Sequence, residues 1–301
     1  MKLFEIGVGR YPPALFLKPD SKLLEVLIGM ASKRVRHCPL VDNDGKLVGM
    51  VSVRDLVDFL GGRRFKDIVV GTYSGDMYKA LEETDALSLS YKPPFVYMDA
   101  DLKDIVETML YRGVGALAVV NRDGVLVGII SERHIISLFA DVESHVKVKE
   151  IMTKPFASLT PSDNIRTGLQ LMSERRVRRI PLIAGSELQG IVTVKDILGF
   201  LASDDVLKAL RAGDAQRVYE TPLAYIASRL VVTVSPEDDV GVAVKRMKER
   251  GIGAVVVVSA EKKPVGILTE RDIMTRLPQV KGVETFVDEL QQKIYASRVT
   301  F

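Results

Sequence analysis

Cysteine occurs once in this 301-residue chain, as Cys38, and tryptophan not at all. A single thiol excludes an internal disulfide and any cysteine-built zinc site. Three histidines, His37, His134 and His145, leave little for a multi-histidine metal centre. Aromatic residues make up only 6% while hydrophobic residues reach 47%, so Val, Leu and Ile must fill the core. Neither sign of charge is in excess: 42 Lys and Arg against 39 Asp and Glu leave +3. That balance excludes the basic footprint of a general nucleic-acid binder and the acidic, weakly apolar profile of a disordered chain. No run of about 18 apolar residues is present, which excludes a helical membrane span. The first residues carry Glu5 and Arg10 and lack the apolar segment of a secretion signal. A soluble, cytoplasmic protein of about two domains is the expectation.

What the chain has instead is self-similarity. Four segments read Gly, two apolar residues, a hydroxyl, any residue, a base, then Asp or His: Gly49 to Asp55, Gly128 to His134, Gly190 to Asp196 and Gly266 to Asp272. The glycines are 79, 62 and 76 residues apart, and alternate ones 141 and 138 apart. A pair of similar repeats is therefore itself duplicated at about 140 residues.

Each motif has the same neighbours. An apolar strand lies upstream, at Pro39 to Val41, Leu117 to Val120, Ile180 to Ile183 and Val255 to Val258. Asp44-Gly45 and Asp123-Gly124 supply turns in the first two repeats. After each motif the apolar spacing becomes helical, as in Leu56, Val57, Phe59 and Leu60. Another helix precedes the strand pair. The segments from Thr160 to Asp163 and from Ser235 to Asp238 predict its hydroxyl N-cap and Pro first turn, and Gly113 and Gly251 predict its end. Each repeat thus reads strand, helix, strand, strand, helix, and is too small to bury its sheet alone. Ser203 to Leu210 predicts a connecting helix. Phe286, Val287, Leu290 and Ile294 predict a C-terminal helix docked on the core.

The hydroxyl and the acid three residues on form a capping-box pattern, which explains the motif by helix termination alone. The same geometry suits a nucleotide. A helix N-terminus offers free N–H groups and a positive dipole end. A hydroxyl and a base beside it can hold phosphate. The carboxylate can accept both hydroxyls of a ribose, and the apolar residues after Gly can line a base pocket.

With these motifs and strands in place, the pattern resembles tandem cystathionine-β-synthase (CBS) domains paired into Bateman modules. The resemblance spans about residues 1 to 278. The four-repeat chain is most similar to the γ-subunit family of AMP-activated protein kinase and its archaeal stand-alone relatives. It implies an α/β (α+β) fold of four β-α-β-β-α units. Repeats at about 10–62 and 90–141 would form a module over 1–145, and repeats at about 149–202 and 224–278 a second over 146–278. Each module would have pseudo-two-fold symmetry, and 279–301 would be a helical tail. It implies no catalytic cofactor, clefts for AMP, ADP or ATP, and a regulated protein partner such as a kinase.

Carried over, the resemblance implies unequal clefts. The fullest takes Thr269, Arg271, Asp272 and Ile267 from repeat 4, with Val177, Arg178, Arg179 and Ala157 from repeat 3. A second takes Thr193, Lys195, Asp196 and Ile191, faced by Gly253 and Ala254 where the family has bases, with Arg271 as a partial substitute. A third takes Ser52, Arg54, Asp55 and Met50, faced by Gly115 and Ala116, with Arg133 as its cation. In repeat 2, His134 replaces the ribose-binding Asp, although Arg36 and His37 offer a basic pair. An empty cleft or one holding an anion is expected there.

Other readings are weighed against this one. Arg175 to Arg179 lacks the interleaved aromatics of a nucleic-acid patch. Gly7-Val-Gly9 is too short for a dinucleotide fingerprint. His37 and Cys38, adjacent on a strand, point to opposite faces and make no catalytic pair. A CBS protein for S-adenosylmethionine or for nucleic acid stands as the alternative, an enzyme has no acid–base or metal cluster in its favour, and a homodimer is left open.

Overall fold

The computed structural model describes residues 1–140 and 142–299. The expected end of repeat 2 at 141 and the last two residues of the tail lie outside them. Every repeat folds on the expected plan. A parallel pairing opens it: Phe95–Tyr97 and Thr233–Val234 in repeats 2 and 4, and single bridges at Leu17 and Leu159 in repeats 1 and 3. A central helix follows: Leu23–Ser32, Leu102–Arg112, Ile165–Arg175 and Val240–Glu249. Then comes an antiparallel hairpin, with central strands His37–Val41, Ala116–Val120, Arg179–Ala184 and Ala254–Val258. These strands are largely apolar and mostly buried, Ala116–Val120 along its whole length. The motif helix closes each repeat: Val53–Leu60, Glu132–Ile136, Val194–Leu201 and Glu270–Lys281.

Gly113 ends its helix in the left-handed region at φ 62°, as the sequence predicts, and Gly251 takes φ 63° just after its own. Their counterparts in repeats 1 and 3 are Arg34 (φ 52°) and Arg176 (φ 54°), which adopt the same conformation without glycine. One cap differs from expectation. Thr160 and Ser235 do not cap the central helices. Asp163 and Asp238 fold back onto their backbone N–H groups at 2.7 and 2.9 Å and make a turn. The helices begin later, capped by Asn164 through Thr167 N–H (3.0 Å) and by Asp239 through Gly241 N–H (2.6 Å).

The chain builds two compact units. The even-repeat unit comprises Met1–Pro13, Pro94–Phe156 and Val231–Phe301, and the odd-repeat unit Ala14–Pro93 and Ala157–Leu230. The expected division at 1–145 and 146–278 follows the duplication in the sequence; the compact units cross it, each taking one repeat from each half. Each has its own core, one around Leu27, Phe59, Leu169 and Tyr219, the other around Leu117, Phe139, Val257 and Phe286.

The leading segments are exchanged. The first residues of repeat 1 pair with repeat 2 (Arg10 with Ile129), and the first residues of repeat 3 with repeat 4 (Thr153 with Ile267). Likewise Tyr91 pairs with Met50 and Ser228 with Ile191. Each exchanged segment supplies the edge partner that a two-stranded hairpin lacks. The C-terminal helix Val283–Val299 docks as predicted: Phe286, Val287, Leu290 and Ile294 are buried, and Phe286 lies 4.7 Å from Phe139, centroid to centroid.

Candidate functional site: the four strand-to-helix junctions

At each junction the strand ends on a hydroxyl residue in extended conformation, and the acceptor three residues on turns back to it. Asp55 Oδ2 accepts from the Ser52 N–H at 2.8 Å and the Ser52 hydroxyl at 2.7 Å. Asp196 does the same for Thr193, at 2.7 Å twice. Asp272 accepts from Thr269 at 2.9 and 2.6 Å. In repeat 2 the Ser131 N–H donates to His134 Nδ1 at 3.1 Å. That bond leaves the ring proton for Nε2, so His134 does the capping work of Asp without its charge. The expected capping geometry is thus present at all four junctions.

The carboxylates differ in what else they touch. Burial pushes the Asp55 carboxyl above its usual range, opposed by the bonds from Ser52. Asp272 is buried, and its Oδ1 accepts from the Thr153 hydroxyl at 2.7 Å and lies 3.4 Å from the Arg276 guanidinium. The apolar residues expected to line a base pocket, Met50, Ile191 and Ile267, are those bridged by the exchanged segments, through Tyr91, Ser228 and Thr153. These three neighbours were missed, because nothing in the sequence announces that a leading segment serves another repeat.

The cations fall into two groups. Val177, Arg178, Arg179 and Ala157 belong to the odd-repeat unit, whereas Thr269, Arg271 and Asp272 belong to the even-repeat unit. Within the odd-repeat unit, Arg36, Arg54 and Arg178 stand close enough to His37 to act on its titration. Burial first, and these three guanidiniums next, hold the imidazole well below its ordinary pKa, so it is neutral at pH 7. Lys195 and Asp196 line a pocket of about 380 Å³ with Met30, Ser32, Arg34 and Leu198 of the same unit, a volume within the range of small-molecule sites.

In the even-repeat unit the two arginines of the motifs meet carboxylates. Arg133 Nε donates to Glu270 at 2.7 Å and its Nη1 to the Gly251 carbonyl at 3.1 Å. Arg271 Nη1 donates to Glu132 at 2.8 Å and its Nη2 to the Gly113 carbonyl at 2.6 Å. Cys38 is fully buried, and burial pushes its thiol up to about 12, which removes it from any nucleophilic role. Among the described residues no group of three or more His, Cys, Asp or Glu is placed to hold a metal ion, and no helix is long and apolar enough to cross a membrane.

Comparison with known proteins matches this geometry to a family. The sequence model of the CBS domain matches four segments, residues 8–62, 86–141, 148–203 and 224–279. The chain is 55% identical over 301 residues to an uncharacterized 33.4 kDa protein in the ribosomal RNA operon of Thermofilum pendens, covering 100% of both. It is 25% identical over 258 residues to the uncharacterized protein MJ1225 of Methanocaldococcus jannaschii, covering 85% of this chain and 92% of that one. The solved structure of MJ1225, described as a candidate archaeal homologue of g-AMPK, is similar with a TM-score of 0.83 at 23% identity, over 91% of this chain and 99% of that one.

Proposed function

The chain belongs to the CBS-domain family, and from that premise we propose that it is a non-enzymatic regulatory protein of the cytoplasm. It binds AMP, ADP or ATP and conveys their occupancy to a protein partner. The observation that carries this reading is the hydroxyl–carboxylate pair at a helix start, repeated in one geometry at Ser52–Asp55, Thr193–Asp196 and Thr269–Asp272.

The second carboxylate oxygens of Asp55 and Asp196 would accept a ribose diol, at Asp272 a ribose would have to share or replace the bond from the Thr153 hydroxyl to Oδ1, and Met50, Ile191 and Ile267 lie on the strand that would back the base. Arg54, Arg178, Arg179 and Lys195 are the cations for phosphate. Repeat 2, with His134, takes no ribose. The positive surroundings of His37 favour a phosphorylated ligand over the sulfonium of S-adenosylmethionine.

A thermal-shift panel over AMP, ADP, ATP and S-adenosylmethionine tests the reading. A nucleotide at a hundred times its Kd adds about 2.7 kcal/mol of stability. A hydrogen bond to a charged group is worth roughly 1.5–3 kcal/mol, so Asp272→Asn, which keeps a cap acceptor, loses about tenfold to a hundredfold in affinity at its site by calorimetry. A folded wild type that shifts with none of the nucleotides overturns the proposal.

A further inference from the structure

The reciprocal contacts of Arg133 and Arg271 have a composition found only in the even repeats. Three positions matter: the residue before the central strand, the first residue of the motif helix and the base that follows it. Repeats 2 and 4 read Gly115, Glu132, Arg133 and Gly253, Glu270, Arg271. Repeats 1 and 3 read Arg36, Val53, Arg54 and Arg178, Val194, Lys195. Equivalence is fixed by one backbone bond in all four: Glu132, Glu270, Val53 and Val194 each donate N–H to the carbonyl of the residue before the strand, at 2.9–3.0 Å.

Glycine and glutamate go together for a spatial reason. A Cβ on Gly115 would lie 3.1 Å from the Glu132 Oε2 and 3.3 Å from its Cδ. The missing side chain is where the carboxylate sits. Glu132 and Glu270 are 0% and 3% exposed, while their arginines keep 29% and 35% of the side chain in solvent. Each arginine bridges two points on the other repeat, the buried carboxylate and the carbonyl that ends the central helix. The pattern is repeated with the roles of the two repeats exchanged.

We propose that this Gly–Glu–Arg triad is a pairing surface by which repeats 2 and 4 select each other, and that its fitting partner is a second repeat carrying the same triad. Two triads close two clasps. A repeat with Val at the helix start offers a base, Arg54 or Lys195, but no carboxylate at that position and closes only one. Arg133 and Arg271 therefore serve the pairing, and the phosphate role expected of them falls to the other cations. The pairing itself does not rest on the nucleotide reading.

A double-mutant cycle in the full chain, melted without nucleotide, tests the pairing. Arg271→Met and Glu132→Gln are each expected to lower the melting midpoint by roughly 5–10 °C, and the double variant by no more than the larger single effect. Additive losses overturn the proposal. Where Arg271→Met does not fold, Arg271→Lys with Glu132→Gln runs the same cycle on a milder scale. ATP titration adds a second arm. A wild type that binds neither ATP nor, titrated in its place, AMP or ADP refutes the nucleotide reading alone, and the pairing then stands or falls on the cycle. With a binding wild type, Arg271→Lys is expected to keep its Kd within about threefold, and a tenfold loss at an unchanged midpoint overturns the assignment.

Discussion

The even-repeat and odd-repeat units share one plan of strand, helix, hairpin and motif helix, and at the motif helix they part. In the odd-repeat unit the helices start on Val53 and Val194, which are 2% and 3% exposed, and arginines precede the strands. In the even-repeat unit buried glutamates take the valine positions and glycines the arginine positions. The hydroxyl cap one residue away is the same in both. The cap is what the fold requires, and the residue beside it is where one scaffold takes either a buried valine or a buried, ion-paired glutamate. Position by position, the motif is thus divided between folding and discrimination.

Substitutions at equivalent points break this comparison by different amounts. The largest effect is expected from Arg133→Met, which takes the ion-pair partner from Glu270 and costs about 3 kcal/mol in denaturant melts. Val194→Ala, at the helix start of the other unit, removes buried apolar surface and costs about 2 kcal/mol. If the two losses respond equally to being combined with Glu270→Gln, the ionic and apolar positions are not distinct.

Acid should separate the units next. His37 is held neutral in the fold, with a pKa well below its unfolded value of about 6.5. The unfolded chain therefore binds a proton that the folded one refuses. The contribution of His37 to stability is constant above about pH 6.5 and falls below it, at a slope approaching roughly 1.4 kcal/mol per pH unit, until the folded pKa is reached. Ala116 and Ala254 occupy the corresponding positions of the even repeats. His37→Ala should flatten the pH dependence between pH 6.5 and 5, measured by urea unfolding. The smallest effect is Gly115→Ala, whose new methyl presses on the Glu132 carboxylate and costs about 1 kcal/mol. An unchanged melt there would mean the carboxylate moves aside freely.

Much of this was legible from spacing. Strand alternation, the four motif helices, the helix ends at Gly113 and Gly251 and the docking of Phe286 all follow from local pattern. The alternation of repeats between units was not. Repeats with near-identical apolar faces do not declare which will cover which, since that contact lies some 140 residues away. Glu132 was hidden for another reason. Between Ser131 and Arg133 it reads as ordinary surface charge, and only its association with Gly115, repeated at Glu270 and Gly253, distinguishes it. The shift of the cap from Thr160 to Asn164 was hidden because both segments carry good capping residues, and the winner is set by where Asp163 turns back.

The alternating path of the chain bears on how it is made. It starts in the even-repeat unit, enters the odd one after Pro13, and changes unit again after Pro93, Phe156 and Leu230. When the first half has left the ribosome, neither core can close. At about 5–20 residues per second, the nascent chain must hold its apolar faces uncovered for roughly 8–30 s until repeats 3 and 4 arrive. That interval, more than the finished fold, is when it is exposed to aggregation and to capture by another copy of itself.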